Sequence, residues 1–262
     1  MVLSVVIITW NAKHFLEKCL KSIYGRNIGF DFELIIIDNN SSDGTLEFIK
    51  SEYSKAILIE NKSNKGVAPA RNQGIKIAKG EYILILDVDT ELLTDNAFKT
   101  MCEYMDANVN IAVLGAKLIF SDGALQHTCR KFPSVWLKMF TRFGKLPFIN
   151  MQKMIDDNSM VNSDHNIIMK VDYLIGAFQL VRKSVFDLIG AYDEEIFYGP
   201  EDIDFCLRAK KNNFDIVYFP HVVLYHFYQR ITKKVFSKIT VLHIKGLFHF
   251  FLKHKYINYP KY

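Results

Sequence analysis

The chain has 262 residues, half of them hydrophobic and 14% aromatic, which excludes a disordered protein and allows one large domain with an ample core. Its four cysteines, Cys19, Cys102, Cys129 and Cys206, are scattered without Cys-x-x-Cys spacing, so a reducing cytoplasm is the expected compartment. The net charge of +5 conceals an asymmetry, because all 28 acidic residues lie at or before Asp215 and eight Lys or Arg residues follow it, leaving a net of −3 in the body.

Met1 leads straight into a strand-like run with no basic leader, and no run of about 18 apolar residues occurs. Neither a signal peptide nor a spanning helix is therefore expected. Val2 to Thr9 is a largely β-branched run suited to a strand buried on both faces. Asn11 is placed to cap a helix in which Phe15, Leu16, Cys19, Leu20 and Ile23 recur at helical spacing. Phe32 to Ile37 predicts a second buried strand, ending at Asp38-Asn39-Asn40-Ser41-Ser42-Asp43-Gly44. A helix over Thr45 to Ser51, a strand over Ala56 to Glu60, a loop over Asn61 to Gly66 and a helix over Ala68 to Ala78 follow. Tyr82 to Leu86 is the fourth strand. This alternation argues for an α/β fold, a mostly parallel central sheet with helices on both faces. Ligands of such sheets bind at the carboxyl ends of the strands. Thr9, Asn11, Asp38, Asn40, Asp87 and Asp89 all fall at those ends.

The fourth strand runs directly into Asp87-Val88-Asp89. Strand alternation points Asp87 and Asp89 to the same side. Two carboxylates crowded there call for a cation or a proton between them. Hard divalent ions take one or two carboxylates and complete their shell with water and phosphate oxygens. Loop caps and solvated turns give the same spacing, and the buried strand that precedes it is what favours a nucleotide-diphosphate site.

Beyond Asp89, Ala97 to Ala107 predicts a helix and Ile111 to Phe120 a strand closing on Ser121-Asp122-Gly123. From Arg130 to about Lys170 the pattern is irregular, with Phe132, Trp136, Phe140, Phe143 and Phe148 among Lys131, Lys138, Arg142 and Lys145. That segment reads equally as an acceptor-side flap or as a satellite core. Order returns at Val171 to Arg182, then Ser184 to Ile189 as a short helix, Glu201 to Asn212 as a clear helix and Asp215 to Phe219 as a strand. The last helix opens with Tyr198-Gly199-Pro200-Glu201-Asp202-Ile203-Asp204. Glu201, Asp204 and Arg208 share a face and Asp202 points elsewhere. Capping accounts for one acid, and a carboxylate held at such a turn and facing a pocket serves as a general base.

These segments together resemble a family-2 glycosyltransferase of the GT-A fold, close to the bacterial rhamnosyltransferase-like members, over roughly residues 2 to 228. The likeness is carried by Val5 to Asn11, Ile37 to Gly44, Asn64-Lys65-Gly66 with Arg71-Asn72-Gln73-Gly74, Gly80-Glu81-Tyr82, Asp87-Val88-Asp89, Gly176-Ala177 and Glu201 to Asp204. It implies a catalytic domain at 1–228, with a nucleotide-sugar half at 1–120 and an acceptor and base half at 121–228. By the same likeness Thr9 and Asn11 line the nucleotide pocket and Asp38 binds base or ribose, with Asn40 in the same polar run. Asn64, Gly66 and Arg71 approach base and diphosphate. Asp89 is the principal ligand of a divalent metal, Mn²⁺ or Mg²⁺, Asp87 reaches the ribose or a metal-bound water, and Asp202 deprotonates the acceptor hydroxyl. His226 matches a position of a further metal ligand or phosphate contact, a core histidine being the alternative. The implied activity is inverting transfer from a nucleotide-diphospho-sugar to a glycan or lipid-linked acceptor in cell-surface polysaccharide synthesis. Two departures stand out: Trp10 occupies a position where many relatives carry Tyr, and Asp87 stands where many rhamnosyltransferase-like members have Asn in Asn-Pro-Asp. The full acidic pair argues for metal dependence and against rhamnose.

Residues 229–262 form a basic amphipathic segment in which Val235, Phe236, Ile239, Leu242, Leu247, Phe248, Phe250, Phe251 and Leu252 alternate with lysines and histidines. It suits peripheral contact with an anionic membrane, at the inner face of the plasma membrane. Docking on the catalytic domain or on a second subunit is the alternative, so an oligomer is compatible with the sequence. Nucleic acid is not an expected partner, since the tail lacks a recognition motif and the body is acidic. A sugar nucleotidyltransferase would carry a Gly-rich basic loop after the first strand, which Thr9 to Lys13 lacks. A non-catalytic scaffold would have lost the carboxylates that this chain retains.

Overall fold

The computed structural model describes residues 2–138, 151–227, 238–260 and 262. Of the residues named above, Met1, Phe140, Arg142, Phe143, Lys145, Phe148, Val235 and Phe236 lie outside the described residues.

The chain begins with β1 (Leu3–Thr9), α1 (Lys13–Tyr24), β2 (Phe32–Asp38), α2 (Thr45–Glu52), β3 (Ile57–Glu60), α3 (Val67–Ile77) and β4 (Tyr82–Asp87). A short strand β5 (Thr90–Leu92) precedes α4 (Ala97–Ala107), β6 (Ile111–Ile119), β7 (Leu125–Gln126) and β8 (Cys129–Arg130). Then come α5 (Met151–Asn158), β9 (Met169–Val171), β10 (Tyr173–Leu174), β11 (Phe178–Arg182), α6 (Lys183–Ile189), α7 (Glu201–Lys211), β12 (Asp215–His226) and α8 (Lys238–His254).

Strands β3, β2, β1 and β4 pair in parallel in that order, as the alternation predicts. The sheet then departs from a purely parallel one. Strand β11 enters antiparallel between β4 and β6, β12 runs parallel to β6, and β5 closes the path antiparallel to β12. Strand β12 runs past Pro220 to His226, its register against β6 shifting between Phe219 and Val223, so it is far longer than its apolar start predicts.

Side-chain alternation explains why the inner strands read as continuous apolar runs. Leu3, Val5 and Ile7 of β1 enter one core and Val6 the other. Likewise Tyr82, Leu84 and Leu86 of β4 face the first core, and Ile83 and Ile85 the second. A strand sandwiched by helices buries both faces. Leu16, Cys19, Leu20 and Ile23 of α1 cover one side, and Ala68, Ala70 and Ile75 of α3 cover the other. Phe132 is buried and stacks on Tyr173 with ring centroids 6.0 Å apart, so this aromatic belongs to the core rather than to a flap.

Helix α8 packs on the body. Phe250 is fully buried in the second core. Lys253 Nζ and His254 Nε2 both lie 2.8 Å from Asp204 Oδ1, and Arg208 holds the other oxygen of the same buried carboxylate at 2.8 Å. Despite burial, these hydrogen bonds and cations hold the Asp204 carboxyl well below the usual carboxylate range. Among the described residues no helix is long and apolar enough to cross a membrane.

Candidate active site

The register aligns the strand ends that carry polar residues. Thr9 lies opposite Asp38, and Ile8 opposite Asp87. Because β11 is antiparallel, its leading residues Gly176 and Ala177 arrive at the same edge, where Ala177 O accepts from Asp87 N at 2.9 Å. His226 ends β12 there, opposite Thr90.

At the β1 and β2 ends, Asp38 Oδ1 and Thr9 Oγ1 are buried with no hydrogen-bond partner among the described residues. An unsatisfied buried carboxylate oxygen is costly, and an acceptor-only atom there suits an N–H or O–H of a bound molecule. The other Asp38 oxygen accepts from Ser41 N at 2.9 Å. Asn11 does not cap α1. It adopts a left-handed φ of 49° and its Oδ1 accepts from Ser42 N at 2.7 Å, tying the β1 loop to the β2 loop. Asp43 takes over the capping from across the sheet, its Oδ2 accepting from Lys13 N at 3.0 Å. Asn40 is an exposed turn residue with φ 71°, and Trp10 is also exposed.

The neighbouring Asn39 does the joining that no sequence signal marked. Its Nδ2 donates to Gly66 O at 3.0 Å and to Asn64 Oδ1 at 3.2 Å, while its Oδ1 accepts from Asn61 Nδ2 at 3.0 Å. Asn64 Oδ1 in turn accepts from Gly66 N at 2.9 Å. Gly66 has φ 90°, and a Cβ there would stand 2.6 Å from Phe197 O, so glycine lets this loop approach the segment that precedes α7.

Arg71 is buried beneath the site and not open to it. Its Nη2 donates to Asp87 Oδ1 and to Gly176 O, both at 2.9 Å, and its Nη1 donates to Glu201 Oε1 at 3.1 Å. Burial pushes the Glu201 carboxyl up to about 7, against the pull of Arg71. Gly176 is the hinge of this arrangement: its carbonyl holds Arg71, and its N–H donates to Asp202 Oδ2 at 3.0 Å. Asp202 Oδ1 accepts from Ile203 N at 2.8 Å, which leaves the carboxylate partly exposed and oriented. Burial lowers Lys138 to about 8, and the charge of Asp202 opposes that fall. The sequence marks this lysine only as one of several cations in a segment without periodicity.

Asp87, Asp89 and His226 converge, offering one ligand atom each within 4.8 Å of one another. Strand alternation is not what brings the two aspartates together. Asp87 ends β4, whereas Asp89 sits in the turn to β5, which the Thr90 hydroxyl tightens by donating to Asp87 O at 2.8 Å. Asp89 O accepts from Phe227 N at 2.9 Å, which draws His226 Nε2 to 3.4 Å from Asp89 Oδ1. Two carboxylates and an imidazole form a mixed oxygen and nitrogen set that could hold a divalent cation.

The family described as Glycosyl transferase family 2 matches residues 4–178. Among curated proteins the chain is similar to the low-salt glycan biosynthesis hexosyltransferase Agl10 of Haloferax volcanii, 24% identical over 218 residues, which cover 82% of this chain and 63% of that protein. It is 32% identical over 125 residues to the minor teichoic acid biosynthesis protein GgaB of Bacillus subtilis, covering 46% of this chain and 14% of GgaB. The chain thus spans less than two thirds of the length of these relatives. The structure of GalNAc-T7 with UDP, GalNAc and Mn²⁺ has a TM-score of 0.69 at 17% identity, over 96% of this chain and 48% of that one. The mannosyltransferase PcManGT from Pyrobaculum calidifontis, in complex with GDP-Man and Mn²⁺, has a TM-score of 0.61 at 16% identity over 96% of this chain and 63% of that one. These are GT-A glycosyltransferases, and the shared architecture assigns that fold here. With the match running from β1 to the start of β11, well over half of its length, the chain belongs to glycosyl transferase family 2.

Proposed function

We propose that the protein is an inverting, metal-dependent glycosyltransferase that moves a sugar from a nucleotide-diphospho-sugar to a hydroxyl of a glycan or lipid-linked acceptor in cell-surface glycan synthesis. The observation that carries this reading is the bridge from Asp202 through Gly176 and Arg71 to Asp87. It keys a carboxylate suited to proton removal to the cluster suited to a diphosphate. Thr9 and Asp38 supply buried acceptor atoms for the nucleoside, and Asn39 holds the Asn64 to Gly66 loop beside them. Asp87, Asp89 and His226 would hold the divalent ion, which supplies Lewis-acid stabilisation of the departing diphosphate. Asp202, oriented by Gly176 and Ile203, takes the acceptor proton as the hydroxyl attacks the anomeric carbon from the face opposite the leaving group. No covalent intermediate with the protein is needed, so the anomeric configuration inverts.

The test is nucleoside-diphosphate release from UDP-, GDP- and dTDP-sugars with Mn²⁺ or EDTA, followed by product anomer analysis by NMR. D202N is expected to lower kcat for transfer by about 10²- to 10⁴-fold with donor affinity unchanged. Transfer by D202N at the wild-type rate, or retention of configuration, would remove Asp202 from the base role.

The structure also gives the tail helix two faces. Phe250 and Thr240 are buried against the body, while Val241, Ile244, Phe248 and Leu252 recur at helical spacing on the outer side, 40–68% exposed. Lys245 is exposed beside them, Lys255 just beyond the helix, and no acidic residue follows Asp215. An apolar stripe edged by lysines fits the headgroup boundary of an anionic bilayer. F248E/L252E is expected to abolish co-flotation with vesicles containing phosphatidylglycerol and to leave the fold intact. Equal flotation of wild type and variant, or no wild-type flotation, would sink membrane contact through α8.

A further inference from the structure

We infer that Gln126 is a positioning residue that selects the metal-binding tautomer of His226. The inference rests on the metal-dependent reading above. Gln126 lies on β7, is nearly buried, and is 100 residues away from His226 in sequence, across the end of β6. Its Oε1 stands 2.6 Å from His226 Nδ1. An amide oxygen only accepts, so the Nδ1 atom carries a hydrogen, and in the neutral ring Nε2 then keeps its lone pair. That lone pair faces the aspartates, with Nε2 3.4 Å from Asp89 Oδ1.

The alternative tautomer would place a hydrogen on Nε2 and donate it to Asp89. In that state His226 and Asp89 would satisfy each other, and the imidazole would offer nothing to a cation. A lone pair directed at a carboxylate is unfavourable by itself, so something must hold the ring in that state before a cation arrives. Gln126 does this from the far side of the ring. The bond also fixes ring rotation, since the imidazole is clamped at Nδ1 while the backbone of Phe227 anchors the strand end to Asp89. Outer groups of this kind, which hydrogen-bond the second nitrogen of a ligand histidine, raise metal affinity by orienting the first. Neither hydropathy nor spacing marks Gln126, because its partner is brought to it only by the pairing of β7 and β12 on opposite sides of β6.

The experiment uses the full chain and reads metal binding directly, by Mn²⁺ titration with electron paramagnetic resonance, without sugar donor. Q126M removes the acceptor at similar length and is expected to weaken Mn²⁺ binding about 10- to 100-fold. Q126E keeps an acceptor oxygen and is expected to bind within a few-fold of wild type, a rescue that a merely structural role would not predict. Long-range ¹⁵N correlation spectra of the metal-free wild type are expected to show His226 protonated at Nδ1. That measurement needs no variant, so it stands even where Q126M fails to fold. Protonation at Nε2, or unchanged Mn²⁺ affinity in a folded Q126M, would overturn the role of Gln126. Absence of Mn²⁺ binding in the wild type would instead overturn the metal reading, and the role of Gln126 with it.

Discussion

D89N is expected to lower metal-dependent sugar transfer at least about a thousandfold, with little change in melting temperature. The substitution keeps the side chain's size but removes the charge a cation would need. Lewis-acid stabilisation of a leaving group is worth several kcal/mol, and about 4 kcal/mol corresponds to roughly 10³ in rate. The fold should tolerate the change because the turn is held through the backbone, with Asp89 O bonded to Phe227 N and the Thr90 hydroxyl bonded to Asp87 O. Removing one of two crowded carboxylates relieves repulsion in the metal-free protein, so its stability is expected to hold or rise slightly. The measurement is kcat/KM against Mn²⁺ concentration alongside thermal melting. Activity of D89N within tenfold of wild type at saturating Mn²⁺ would refute the assignment of Asp89 as the principal ligand.

R71M has the largest expected effect on stability. Arg71 and Glu201 are both buried, and Arg71 also holds Asp87 and Gly176. Breaking a buried ion pair by removing one partner typically costs about 3–5 kcal/mol, because the remaining charge has nowhere to go. For a chain of this length that corresponds to a drop in melting temperature on the order of 10 °C. The deficit should depend on pH in a defined sense. Glu201 is already pushed up to about 7 with Arg71 present, and the loss of the cation raises it further. A carboxyl raised in the folded state binds its proton more tightly there than in the unfolded chain, so stability falls as pH rises between the two pKa values. R71M is therefore expected to lag wild type less at pH 5.5 than at pH 8. R71K is not expected to rescue it, since an ammonium lacks the planar fork that serves three partners at once. Equal melting of R71M and wild type at both pH values would show that the bridge carries no stability.

The sequence was most informative where local rules suffice. The four parallel strands and their helices lie within a residue or two of expectation, because apolar runs buried on both faces announce themselves. The antiparallel entry of β11 was not legible, since Phe178 to Arg182 carries no mark of direction and its neighbours β4 and β6 precede it by many residues. Strand β5 was missed because three residues following an acidic pair read as a turn. The convergence of Asp87 and Asp89 was expected for the wrong reason, since a turn and not strand alternation brings it about. Arg71 offered a clue: it shares a helical face with Ala68, Gly74 and Ile75, all of them buried. A lone arginine on such a face must find carboxylates in the interior, and that points to a strut. Asn39 and Gln126 could not have been found, because their partners come from loops and strands that only the folded sheet brings close.

The placement of β11 also bears on how the chain comes off the ribosome. The strand that fills the middle of the sheet is made after both of its neighbours, so nascent β4 and β6 each present an open edge until residue 182 has emerged. The carboxylate of Asp204 waits longer still, meeting Lys253 and His254 only once residue 254 has emerged. The parallel unit of β1 to β4 can form early, while the half that would hold the acceptor is completed last. Domains tend to fold as units from the N-terminus while they are being made, and here the contacts of Asp204 close only after residue 254 has emerged.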